Sequence, residues 1–122
     1  MTQIRRSPDC DPSCDGAATE GIALALLGVG TLDRARVADA ATWDRPSGGT
    51  ITGGDRICAT AAAQTADLVR IEQVITQGRA GSVTGRVTRG GTTRLFCHMI
   101  RFTGTSDPVI AQLVSFEHPA GG

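Results

Sequence analysis

Few side chains in this 122-residue chain can do chemistry. There are two histidines, His98 and His118, four cysteines, and no tyrosine. His98 lies in the middle of RLFCHMIRF, and a histidine's ordinary pKa of about 6.5 suits general acid/base work. The alternative for His98 is a structural role, hydrogen-bonded inside the fold. Asp44 is a candidate base if a bulge at Pro46 re-aims it, and Arg45 is a candidate partner for a carboxylate or enolate oxygen. Ser115 has no Ser-His-Asp setting in the sequence, so it is not read as a nucleophile. His118, near the end of the chain, is expected to be exposed and inert.

The cysteines do not form a metal or disulfide pattern. Cys10 and Cys14 are spaced C-x3-C, a weak signal for a redox-active pair, while Cys58 and Cys97 stand alone. Structural zinc wants four ligands at close spacing, and neither histidine is near Cys10 or Cys14 in sequence. Cys58 and Cys97 read as buried, inert thiols. No metal and no cofactor are expected.

Formal net charge is zero, which argues against nucleic acid or an anionic membrane as the main partner. No apolar run reaches about 18 residues, so no membrane span is expected. The first residues, MTQIRRSPDCDPSCDG, carry no apolar segment behind their arginines and so do not read as a signal peptide. A cytoplasmic location is expected.

The elements that must position these residues follow from periodicity. Residues 1–14, with Pro8 and Pro12, read as an irregular arm, and residues 15–118 as one domain followed by a tail over 119–122. A first helix runs from Asp15 or Thr19 to about Leu27, ended by Gly28. A second short helix is predicted over 32–40 and a short strand over 41–45, with Trp43 in it. A third helix opens at Gly54-Asp55 and runs to about Ala66. Strict alternation then predicts strands over 69–77 and 80–88, and a hairpin of RLFCHMIRF and VIAQLVSFE across GTSDP. Three helices followed by antiparallel strands define an α+β layout with helices on one face of a curved sheet. Gly81 and Gly85, inside a strand, suit strong curvature or a cavity behind the sheet.

Three runs carry a family resemblance: ATWDRPSGGTITGGDRI, IEQVITQGRAGSVTGRV and FCHMIRFTGTSDPVIAQLVSFE. Over about 18–117 the chain resembles the nuclear transport factor 2-like (NTF2-like) superfamily, and most closely its small bacterial SnoaL-like members. The resemblance implies a cystatin-like α+β cone whose sheet wraps a pocket closed by helices. The superfamily includes polyketide cyclases, ketosteroid isomerases, epoxide hydrolases and dehydratases. The isomerase pattern is not kept. Where that branch has a carboxylate before the proline after its first strand, this chain has Arg45. Where it has a protonated aspartate, this chain has His98, and the partner tyrosine is missing.

Matching His98 to that inward position puts Phe96, His98 and Ile100 inside the cone. The same registration turns Val83, Gly85, Leu113 and Ser115 inward, and sets Trp43 and Arg45 on one face. The implied cavity is mostly apolar, as small-molecule sites are. Two functions fit. One is an enzyme doing acid/base chemistry (cyclase-, isomerase- or dehydratase-type) on a small, largely apolar compound, with His98 and Asp44. The other is a non-catalytic ligand-binding or dimerisation module. The opposite sheet face would carry Ile110, Val114 and Phe116, with Met99 on the neighbouring strand. A homodimer through that face is expected, unless the N-terminal arm folds over it.

Overall fold

A computed structural model of the chain describes residues 3–6, 14–46, 48–103 and 109–119. The element order is β1 (Gln3–Arg6), α1 (Cys14–Leu26), β2 (Val37–Asp44), β3 (Thr50–Thr52) and α2 (Gly54–Ala62). Four long strands follow: β4 (Leu68–Gln77), β5 (Ala80–Arg89), β6 (Thr92–Phe102) and β7 (Ile110–Pro119). Among the described residues, seven strands form one sheet in the order β1-β4-β5-β6-β7-β2-β3. The pairs β1–β4 and β2–β7 are parallel and the others antiparallel. Among the described residues, no helix is long and apolar enough to cross a membrane.

On the central strands the residues that the resemblance turns inward are buried. On β6 Phe96, His98 and Ile100 are buried, on β5 Val83 and Gly85, and on β7 Leu113 and Ser115. The ends of β6 and β7 meet where the Thr103 amide donates to the Val109 carbonyl at 2.8 Å; the expected turn itself, 104–108, lies outside the described residues.

α1 closes the inward face. Its last turn is apolar on every side, because it sits between two halves of the core. Ala23, Leu24 and Leu27 pack with Val69, Ile71, Val83, Val87 and Phe96. Ala25 and Leu26 pack with Trp43, Ile57, Ala61, Ile100 and Leu113. α2 completes the second half through Ile57 and Ala61.

Several expectations need correction. The described residues hold two α-helices, not three: the region of the expected second helix is a single 3-10 turn, Arg34–Arg36, followed directly by β2. Helix propensity of its alanines yields to pairing, since Val37 lies opposite Ile110 and Thr42 opposite Gln112 on β7. Asp33 caps the turn by accepting from the Ala35 amide, and Arg34 donates to the Val37 carbonyl at 2.7 Å. α2 stops at Ala62 rather than near Ala66. There the chain passes Gly28, whose missing Cβ would stand 2.1 Å from the Gln64 carbonyl oxygen. Residues 3–6, expected irregular, form an edge strand along β4; Cys10 lies outside the described residues.

Ile110, expected on the outer face, is fully buried. The register slips between Arg101 and Phe102, so Gln112 lies opposite Arg101 while Ile110 lies opposite Phe102. The extra residue, Ala111, makes a β-bulge, and a bulge reverses the facing of every residue beyond it.

Candidate functional site

Three strands bring three polar side chains together inside the core. Trp43 on β2, Ser115 on β7 and His98 on β6 are each almost fully buried. Ser115 stands opposite His98 in the β6–β7 register. Trp43 Nε1–H donates to Ser115 Oγ at 2.8 Å, and Ser115 Oγ lies 2.6 Å from His98 Nδ1. The other ring nitrogen, His98 Nε2, is buried without a partner among the described residues. The Phe96 ring tilts against the imidazole at a centroid distance of 5.2 Å.

Counting hydrogens assigns the tautomer. Ser115 has one hydroxyl proton and a lone pair already engaged by Trp43. If that proton goes to Nδ1, the neutral imidazole carries its own proton on Nε2, and only Nε2–H is unsatisfied. If instead Nδ1–H donates to Ser115, both the serine proton and the Nε2 lone pair lack partners. The first arrangement leaves fewer orphans, so the chain runs Trp43 to Ser115 to His98 and ends on an N–H donor. Burial, helped by the positive charge of Arg89, lowers the His98 pKa to about 3. The ring is neutral at physiological pH.

His98 borders a cleft of about 360 Å³. Trp43 and Arg45 line it too, as their shared strand face implies, and Leu26, Pro46 and Gln64 add wall. Three charged residues that the sequence reading passes over complete the lining: Arg89, Arg94 and Glu117. Arg89 grips Glu117 with two nitrogens, at 3.0 and 3.3 Å. Arg94 Nε lies 3.3 Å from the same carboxylate, and its Nη2 donates to the Glu117 carbonyl. The signal for all three was available. Extending each inward alternation by one step, from Val87 to Arg89, from Phe96 back to Arg94 and from Ser115 to Glu117, finds them.

The other sequence-predicted residues stand elsewhere. Val83, Phe96, Ile100 and Leu113 are core, buried behind the cleft rather than lining it. The Cβ position of Gly85 is occupied by the Arg70 carbonyl oxygen, 2.0 Å away, so this glycine serves a close backbone approach and not a cavity. Asp44 is not brought to His98: it alternates away from Trp43, and its Oδ1 accepts from the Thr50 hydroxyl at 2.6 Å. Cys58 and Cys97 are free and partly buried, and burial pushes both thiols up. His118 is exposed. A larger cleft, about 960 Å³, opens beside α1 and is lined by Ile22, Leu32, Arg36, Gln77, Phe102 and Ile110 among others; none of the sequence-predicted site residues borders it.

This architecture is the NTF2-like fold. An NTF2-like protein of unknown function from Burkholderia xenovorans LB400 superposes with a TM-score of 0.61 at 13% identity, over 73% of this chain and 70% of that one. One of unknown function from Cytophaga hutchinsonii ATCC 33406 gives 0.61 at 12% identity, over 91% and 95%. An LEH-like epoxide hydrolase from M. tuberculosis gives 0.56 at 18% identity, over 84% and 80%. No family model and no curated protein matches the sequence.

Proposed function

We propose that this chain binds a small organic molecule in the cleft beside His98, with the Nε2–H of that residue donating to an oxygen of the ligand. The observation that carries the reading is the buried Trp43–Ser115–His98 chain ending on a nitrogen with no partner among the described residues. A buried N–H left unsatisfied costs roughly 1–3 kcal/mol, which a ligand oxygen would recover. Leu26, Trp43 and Pro46 offer apolar wall for the body of the ligand. The sequence resemblance to SnoaL-like proteins, which hold small molecules in the same fold, points the same way.

The geometry supports binding better than proton transfer. A ring whose pKa lies at about 3 is a poor base at neutral pH. Asp44 faces Thr50, and the carboxylate on the cleft, Glu117, is held by Arg89 and Arg94. Where catalysis occurs, a neutral imidazole acts by polarising a carbonyl and not by abstracting a proton. The binding unit is taken as a homodimer. Nitrogen-detected NMR of His98 against small ketones, amides and carboxylates tests the reading. A saturable shift of Nε2 is expected with at least one of them; an unmoved Nε2 throughout would overturn it.

A further inference from the structure

Three arginines and one glutamate line the His98 cleft, which leaves it a net charge of +2 when the histidine is neutral. Arg89 and Arg94 share Glu117 between them. Arg45 does not share it: among the described residues its guanidinium makes no ion pair and no side-chain hydrogen bond. Its backbone is anchored where the chain turns from β2 to β3: the Arg45 amide donates to the Gly49 carbonyl at 3.2 Å. Two residues bordering the cleft therefore carry unused donors of compatible kind, the cationic fork of Arg45 and the buried neutral N–H of His98. A guanidinium pairs with a carboxylate through parallel hydrogen bonds, and an N–H beside an apolar wall strengthens such a bond by excluding water.

We infer that the ligand of this cleft is a small organic carboxylate, its anionic end held between Arg45 and His98 Nε2–H and its body against Leu26, Trp43 and Pro46. The inference rests on the proposed binding site and names the class of molecule that the site takes. A neutral ligand would leave the Arg45 charge unused. A cation would meet a surplus of like charge. The volume, about 360 Å³, lies at the small end of the range for ligand sites and suits a compact acid.

Matched pairs test it: benzoate against benzamide, and hexanoate against hexanamide, titrated into the uniformly nitrogen-15-labelled protein. His98 Nε2 is followed and the exposed His118 serves as the internal control. The carboxylates are expected to shift His98 Nε2 saturably and to bind about ten- to a hundredfold tighter than their amides. Arg45→Gln should erase that preference, while Arg45→Lys, which keeps charge without the fork, should retain part of it. Amides that shift Nε2 and bind as tightly as the acids would overturn the carboxylate inference and leave the binding site standing. So would Arg45→Gln with unchanged affinity for the acids. If no member of either pair moves Nε2, the site and the inference fall together.

Discussion

The chain Trp43–Ser115–His98 makes Ser115 its central link, since that hydroxyl serves two buried partners at once. Ser115→Ala is expected to strand Trp43 Nε1–H and His98 Nδ1 together and to lower stability by roughly 2–4 kcal/mol in urea unfolding. His98 itself couples stability to pH. Its pKa is about 3 when folded, against an ordinary 6.5, so between those values the unfolded chain binds more protons. The stabilisation is complete above pH 6.5 and is lost as pH falls toward 3. Between pH 6.5 and pH 5 the loss from this residue is expected to reach about 2 kcal/mol. His98→Gln, compared with wild type at both pH values, should flatten that part of the acid slope; equal slopes would contradict a neutral buried ring. Alternation put His98 on one face with Phe96 and Ile100, and Ser115 with Leu113; the family resemblance supplied which face is inward. Their bond through Trp43 was not, because β2 reaches β7 by a parallel pairing that no local pattern announces.

Alternation read β4 through β7 well because long antiparallel strands repeat one rule. It failed where the rule is interrupted. Bulges break the register between Ile71 and Gln73 on β4, between Val37 and Thr42 on β2, and near Ala111 on β7. The alanine-rich start of β2 mimics a helix for the same reason that Ile110 mimics an outward residue: tertiary pairing overrides the local signal. The β4 bulge sets a test. Arg70 carries its carbonyl oxygen to the place a Cβ would take at Gly85, 2.0 Å away, and the Phe96 ring stands 3.1 Å from it. Backbone cannot swing aside as a side chain can. Gly85→Ala is expected to destabilise by about 3 kcal/mol or more, read as a lowered urea midpoint. Gly21 in α1 is the counterpart, with nothing within 4 Å of its Cβ position among the described residues. Gly21→Ala should stabilise by roughly 0.5–1 kcal/mol through helix propensity alone.

At the scale of the molecule, the described residues cover one face of the sheet and leave the other open. α1 and α2 take the inward side, and β1 extends the sheet at the β4 edge, so residues 3–6 do not lie over the other side. That outer side carries Met99 at 50% exposure, Phe116 at 47% and Leu95 at 36%. Register gathers them: Cys97 lies opposite Phe116 and Met99 opposite Val114. With Ile110 turned inward, the patch is Leu95, Met99, Val114 and Phe116. Aromatic residues and methionine are enriched at interfaces, and a self-complementary patch closes most simply by a twofold axis. Burying these side chains against a second copy would contribute roughly 1.5–3 kcal/mol each before the cost of association. Phe116 lies near the centre, on the face opposite the His98 cleft. Phe116→Asp is therefore expected to yield a folded monomer whose cleft still binds, while the wild type sediments as a dimer at micromolar concentration. Met99→Asp should act the same way, since Val114 joins the two side chains into one surface. A wild-type chain that sediments as a monomer at that concentration would overturn the dimer and leave this face for a different partner.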